Sequence, residues 1–148
     1  PIMTYLTMSS ALIDRPPGEG KLCQAGHPTP FIVNPGGEVR TVGEGGAPVG
    51  LMPDLSWSDV SFSLAPGERL CLFSDGITEC ENPDNEQFGE ARLQRRLQDD
   101  ATLALERLLP QFAQHLIRWR SGKYREQQAM ADDVSLLVIE RTGVNDEH

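Results

Sequence analysis

The sequence predicts an α+β domain of antiparallel strands with helices packed against them. Three observations carry that expectation. The first half breaks into short β-branched and apolar runs separated by Pro- and Gly-rich turns. A middle region has apolar residues at helical spacing, and a last apolar run, Val134 to Ile139, returns to strand character.

In chain order, Thr4 to Ile13 forms the first strand, broken by Arg15-Pro16-Pro17-Gly18-Glu19-Gly20. Leu22 to Ala25 resumes it, and Pro30 to Val33 follows the turn Gly26-His27-Pro28. Asn34-Pro35-Gly36-Gly37 turns Phe31-Ile32-Val33 back into Val39 to Val42, because Asn and Gly supply the backbone angles a tight reversal needs. Gly43 to Pro53 is a Gly-rich loop without the Lys-Ser/Thr end of a phosphate loop or the spaced glycines of a dinucleotide fingerprint. Trp57 to Leu64 alternates cleanly, with Val60, Phe62 and Leu64 on one side. Ala65-Pro66-Gly67-Glu68 leads into Arg69 to Phe73, apolar enough for a central strand.

Helical sequence follows. A short helix spans Gly89 to Leu97, and Asp99 or Asp100 caps the next. In that helix Leu105, Leu108, Leu109, Phe112, Leu116 and Trp119 line one face, Pro110 kinks or divides it, and Ser121-Gly122 stops it. Val134 to Ile139 is too apolar for an edge and is expected inside a sheet beside Arg69–Phe73, with Leu105, Phe112 and Leu116 facing that sheet. Residues 1–140 then form one domain and 141–148 a flexible tail.

At 148 residues the chain supports one domain with a real core. Thirteen Lys and Arg against 22 Asp and Glu leave a formal charge of -9, with no basic face to neutralise phosphates, which argues against nucleic-acid binding. Arg92, Arg95 and Arg96, and later Arg118, Arg120, Lys123 and Arg125, read as solvated helix faces and helix ends. No run approaches the ~20 apolar residues that cross a bilayer, and no basic-then-apolar leader opens the sequence. Cys23, Cys71 and Cys80 are odd in number and unpaired in spacing, which fits a reduced, cytoplasmic setting.

Asp75 is the foremost candidate for chemistry. It leaves the end of an apolar strand just before Gly76, where the backbone can turn sharply; an ordinary Asp-Gly turn accounts for it equally well from local sequence alone. Asp132 and Asp133 sit at the mouth of the last strand. If that strand runs antiparallel to Arg69–Phe73, both acidic positions share one sheet end, and their mutual repulsion is relieved by a hard divalent cation such as Mg²⁺ or Mn²⁺. An exposed pair ending a loop is the plain alternative. His27 either donates to a phosphate or serves its turn. His115 and His148 join no zinc spacing, and no Gly-x-Ser-x-Gly supports serine-hydrolase chemistry.

One ordered series resembles a known family. It comprises Gly20-Lys21-Leu22-Cys23-Gln24-Ala25-Gly26-His27-Pro28-Thr29-Pro30, Gly46-Ala47-Pro48-Val49-Gly50-Leu51, Leu64-Ala65-Pro66-Gly67-Glu68-Arg69-Leu70, Phe73-Ser74-Asp75-Gly76-Ile77-Thr78-Glu79, Phe88-Gly89 with Arg92-Leu93, and Asp132-Asp133-Val134-Ser135-Leu136-Leu137-Val138. The series is similar to the C-terminal portion of the sporulation-stage-II-E and stress-regulator branch of PP2C-like (PPM) serine/threonine phosphatases.

The resemblance implies a sandwich of antiparallel sheets flanked by helices and a site for two Mn²⁺ or Mg²⁺ ions at the sheet ends. It places Asp75 and Asp132 among the metal-associated, catalytic positions and Asp133 beside them, with Gly76 and His27 in supporting loops. It also implies water as nucleophile, a phosphorylated anti-anti-sigma-type regulator as protein substrate, and a sensor or receiver domain upstream, as in two-component signalling. The family's earlier Gly-Asp-x-x-Asp and Asp-Val-x-Gly motifs have no counterpart here. A catalytically reduced, protein-binding regulatory module with the same fold is therefore the second expectation.

Overall fold

The computed structural model describes residues 4–15, 17–121 and 133–143. Among these residues, seven strands and three helices follow one another as β1 (Met8–Ile13), β2 (Glu19–Ala25), β3 (Phe31–Val33), β4 (Val39–Thr41), β5 (Asp59–Ser63), β6 (Arg69–Phe73), α1 (Asp75–Thr78), α2 (Gly89–Asp99), α3 (Leu105–Ser121) and β7 (Leu136–Glu140). The strands make two sheets, ordered β1-β2-β5 and β4-β3-β6-β7, with antiparallel neighbours throughout. The chain changes sheet three times: at the Gly26-His27-Pro28 turn, through the Gly-rich loop, and at Ala65-Pro66-Gly67-Glu68.

Alternation along the strands builds two cores from one sheet. On the inner face of the four-stranded sheet, Ile32 and Leu70 bury against Leu22, Val42 and Leu64, with Ile13, Phe62, Leu72 and Ile139 at the margin. On its outer face, Phe31, Val33, Cys71 and Phe73 meet Ile77, Phe88, Leu93, Leu97, Leu108, Phe112 and Leu116. Phe88 sits among Phe112, His115 and Trp119 in edge-to-face contacts, with centroids 6.2, 5.8 and 5.6 Å away.

The expected pairing of Arg69–Phe73 with the last apolar run holds, Phe73 opposite Leu136 and Arg69 opposite Glu140. Four details of the sequence reading do not. The last strand is an edge among the described residues, because β3 occupies the other side of β6. Pro110 does not divide α3; it stands in the helix's second turn, exposed, as is Glu106, whose carbonyl the proline leaves without an amide partner but open to water. Asp99 and Asp100 end α2 instead of capping α3: the Asp100 amide donates to the Arg96 carbonyl, and its carboxylate pairs with Arg96 at 2.8 Å. Finally, Leu105 is half-buried at the first residue of α3 and Leu109 is exposed, so the buried stripe is Leu108, Phe112 and Leu116 at four-residue steps.

Two arginines fasten the layers. Arg69, 5% exposed, donates to Glu140 at 2.6 Å and to the carbonyls of Asp100 at 3.0 Å and Leu103 at 2.5 Å, tying β6 to β7 and to the loop between the two longer helices. Arg40 in β4 grips both carboxylate oxygens of Glu68 at 2.6 and 2.9 Å and reaches the Ser63 carbonyl of β5 at 2.6 Å. That arginine bridges the two sheets along their β4/β5 side.

Arg40 beside Glu68, with an added hydrogen bond from the Ala65 amide, holds the Glu68 carboxyl below its ordinary range against the opposing effect of burial. A carboxylate with a lowered folded-state pKa stabilises the fold above its unfolded pKa and loses that contribution as pH falls through the folded value. Once each curve is referred to its own neutral-pH stability, the wild type should therefore lose stability at higher pH than Glu68→Gln on acidification below about pH 4.5, because only the wild type has this carboxylate to protonate. Identical normalised pH curves by circular dichroism would contradict this.

Beyond β7 the Arg141 amide donates to the Glu68 carbonyl at 3.0 Å, and its carbonyl accepts from the Gly67 amide at 2.7 Å. The first residue of the expected tail is thus tied to the sheet; residues 144–148 lie outside the described ones.

Candidate active site

The strand register brings the sequence-predicted site residues to one rim. β3 begins where β6 ends, since Phe31 pairs with Cys71, and β7 begins where β6 ends, since Leu136 pairs with Phe73. The His27 loop before β3, the Ser74-Asp75-Gly76 turn after β6 and the Asp133 segment before β7 all therefore occupy the same end of the four-stranded sheet. The Gly-rich loop starts there too, because Thr41 pairs with Phe31.

Asp75 opens the single turn α1, exposed at the rim, and its carbonyl accepts from the Glu79 amide at 2.8 Å and the Thr78 hydroxyl at 3.1 Å. Gly76 behind it is buried. A β-carbon there would stand 2.3 Å from the Asp133 carbonyl oxygen, a backbone atom that cannot swing away as a side chain could. Glycine is thus required by the close approach of two backbone segments.

Ser74 completes the junction. Its amide donates to the Ser135 carbonyl at 2.9 Å, its hydroxyl donates to the Asp133 carbonyl at 3.2 Å, and the Ser135 amide donates to that hydroxyl at 2.9 Å. Asp133 itself is exposed. Asp132 lies outside the described residues.

His27 is placed by Gln24, which sequence reading passed over. Gln24 is 4% exposed; its amide nitrogen donates to the His27 carbonyl at 3.3 Å and to Thr29 Oγ1 at 3.4 Å, and its oxygen accepts from the Gly45 amide at 3.1 Å. One side chain thereby links the His27 loop to the Gly-rich loop. Gly26, at φ 71°, lets the turn lie against Pro48, which a β-carbon would approach to 2.6 Å. The legible signal was a polar residue two positions from Leu22 on the inward face of a strand. Ser74 offered no such signal.

Carboxylate oxygens suit hard divalent ions, so the donor type at the rim fits Mn²⁺ or Mg²⁺. Among the described residues, which do not include Asp132, no group of three His, Cys, Asp or Glu side chains comes together to hold an ion. The three cysteines are free; burial raises the Cys71 thiol to about 12 and also raises that of Cys80, so neither is poised as a nucleophile. No helix among the described residues is long and apolar enough to cross a membrane.

A family model described as Stage II sporulation protein E (SpoIIE) matches residues 3–142. Protein IcfG of Synechocystis sp. is 29% identical over 137 residues, covering 93% of this chain and 21% of that protein. Among solved structures, the SiaA-PP2C domain of Pseudomonas aeruginosa superposes with a TM-score of 0.79 at 21% identity, covering 94% of this chain and 53% of that one. The phosphatase domain of the cell fate determinant SpoIIE from Bacillus subtilis gives 0.72 at 22% identity, covering 96% and 61%. The chain thus spans about a fifth of the IcfG protein and just over half of these solved domains. With a match that runs nearly end to end and a sandwich of two antiparallel sheets flanked by helices, the chain belongs to the SpoIIE family, within the PP2C-like fold.

Proposed function

We propose that residues 1–140 form the C-terminal portion of a PP2C-like serine/threonine phosphatase domain and that, by themselves, they act as a catalytically reduced, protein-binding module. The supporting observation is the rim itself. It keeps the Asp75-Gly76 turn locked against the Asp133 backbone, yet its described residues fall short of a metal-binding group.

Asp75, Asp132 and Asp133 are then the positions that would contribute oxygen ligands to two Mn²⁺ or Mg²⁺ ions. The remaining acids would come from upstream motifs. Gly76 and His27 shape the supporting loops. The protein recognised would be a phosphorylated anti-anti-sigma-type regulator, met in the cytoplasm, with a sensor or receiver domain upstream controlling access.

The second reading is turnover in the longer protein, favoured by the retention of both acidic segments at one sheet end. Phosphate release from a phosphoserine protein separates the two. The 148-residue chain should release little phosphate with Mn²⁺ or Mg²⁺. A product extended upstream through the missing acidic motifs should release it in a chelator-sensitive manner, and Asp75→Asn in that product should lose at least about a hundredfold in rate. Efficient, Asp75-dependent turnover by the short chain would overturn the reduced-module reading.

A further inference from the structure

Helix α3 carries a second apolar row. Leu108, Phe112 and Leu116 are buried against the sheet; the residues one position on, Leu109, Ala113 and Ile117, stand about 100° further round the helix and are all exposed. Leu109 is 40% and Ile117 45% exposed, and exposed Pro110 borders the same row. A single exposed leucine needs no explanation, but an apolar row running most of a helix does. One charge bounds the row at each end: Glu106, about one turn before Leu109, and Arg120, about one turn after Ile117. Arg107 and Arg118 lie on the other flank, about 120–140° round from Ala113. Neither Glu106 nor Arg120 forms an ion pair with a described residue.

The row is complementary to itself. Two copies of α3 laid antiparallel about a two-fold axis through Ala113 set Leu109 opposite Ile117 and Glu106 opposite Arg120, each contact being made twice. The small side chain on the axis lets the helices approach to about 8 Å. Parallel pairing would instead set Glu106 against Glu106 and Arg120 against Arg120. Pro110 leaves the Glu106 carbonyl without an amide donor, so each arginine would meet a carboxylate and a free carbonyl together. The direction also suits the charge. Trp119 Nε1 donates to the Cys80 carbonyl at 3.0 Å, so α3 ends beside the loop that follows the Asp75 turn. Antiparallel pairing therefore carries the two acidic rims to opposite ends of the assembly, which limits repulsion between chains of formal charge -9.

We propose that the face of α3 bearing Leu109, Ala113 and Ile117 is a self-association surface, occupied by the same face of a second copy running antiparallel, with both acidic rims left open. One helix face per copy buries less than the ~1,200 Å² at which standard interfaces begin, so the dimer is a weak one, with a dissociation constant of about 10–500 μM. The inference rests on α3 and not on turnover, so its test reads mass and not phosphate.

Sedimentation equilibrium of the 148-residue chain, carried up to about 1 mM, should follow a monomer–dimer equilibrium. Ala113→Lys sets two ammonium groups on the axis and should weaken association at least about tenfold, while the melting temperature of the dilute chain stays within about 2 °C because the position is exposed. Glu106→Arg and Arg120→Glu should each weaken association about threefold to tenfold, and the two together should restore it, since the reversed charges again face one another. That rescue is specific to the antiparallel register. A chain that stays monomeric, a dimer indifferent to Ala113→Lys, or single losses without rescue would each overturn the proposal. So would an upstream-extended product whose association Ala113→Lys leaves unchanged, because upstream residues would then cover the row.

Discussion

Arg69→Ala is expected to cost about 3–5 kcal/mol of unfolding free energy, the range for removing one member of a buried ion pair. The loss comprises more than the Glu140 contact. The carbonyls of Asp100 and Leu103 would lose their donor in the packed interval between sheet and helices, and each unsatisfied buried acceptor carries its own desolvation penalty. Arg69→Met, which keeps the volume of the stem, should recover part of the loss. Urea denaturation measures both, and a cost below about 1 kcal/mol for the alanine variant would show that water substitutes for the guanidinium.

Gly76→Ala should destabilise by about 1–3 kcal/mol and, more tellingly, displace the entry into β7. Its β-carbon meets the Asp133 carbonyl, so relief requires one of two backbone segments to move, and the three hydrogen bonds through Ser74 move with it. The amide resonances of Ser74 and Ser135 should shift while those of β2 stay put. Gly143→Ala is the control, since nothing stands within 4 Å of that position. Unchanged Ser135 resonances in Gly76→Ala would mean that the junction tolerates what the geometry forbids. In an active longer protein the same substitution should reduce turnover, because Asp75 would leave its place at the rim.

What could be read without a structure followed local rules. Arg69–Phe73 was legible to the residue, since the apolar run Leu70-Cys71-Leu72-Phe73 between Ala65-Pro66-Gly67 and Asp75-Gly76 leaves the boundaries little freedom. The shared rim of Asp75 and Asp133 was legible because antiparallel pairing of two apolar strands dictates it. Local sequence did not show the division into two sheets; only the family resemblance implied it. Nothing local distinguishes the turn at Gly26-His27-Pro28, which changes sheet, from Asn34-Pro35-Gly36-Gly37, which does not. The edge position of β7 was misjudged because composition reports how many neighbours a strand suits, and only topology reports how many it has. Asp99 and Asp100 look alike as a helix start or a helix end; the Arg96 side chain one turn earlier decides it. Gln24 and Ser74 escaped because their role lies in bonds to backbone groups distant in sequence, which no spacing encodes.

The late arrival of β7 has a consequence for how the chain is made. β6 leaves the ribosome long before its partner, and the three groups that satisfy Arg69, on Asp100, Leu103 and Glu140, are all translated after it. At elongation rates of about 5–20 residues per second, the strand stays open on one side for several seconds, with its arginine unpaired. The β1-β2-β5 sheet can settle during that wait, but the rim junction at Ser74 and Gly76 has no partner until Asp133 and Ser135 are made. Synthesis order thus makes the Asp75 turn among the last parts of the molecule to set.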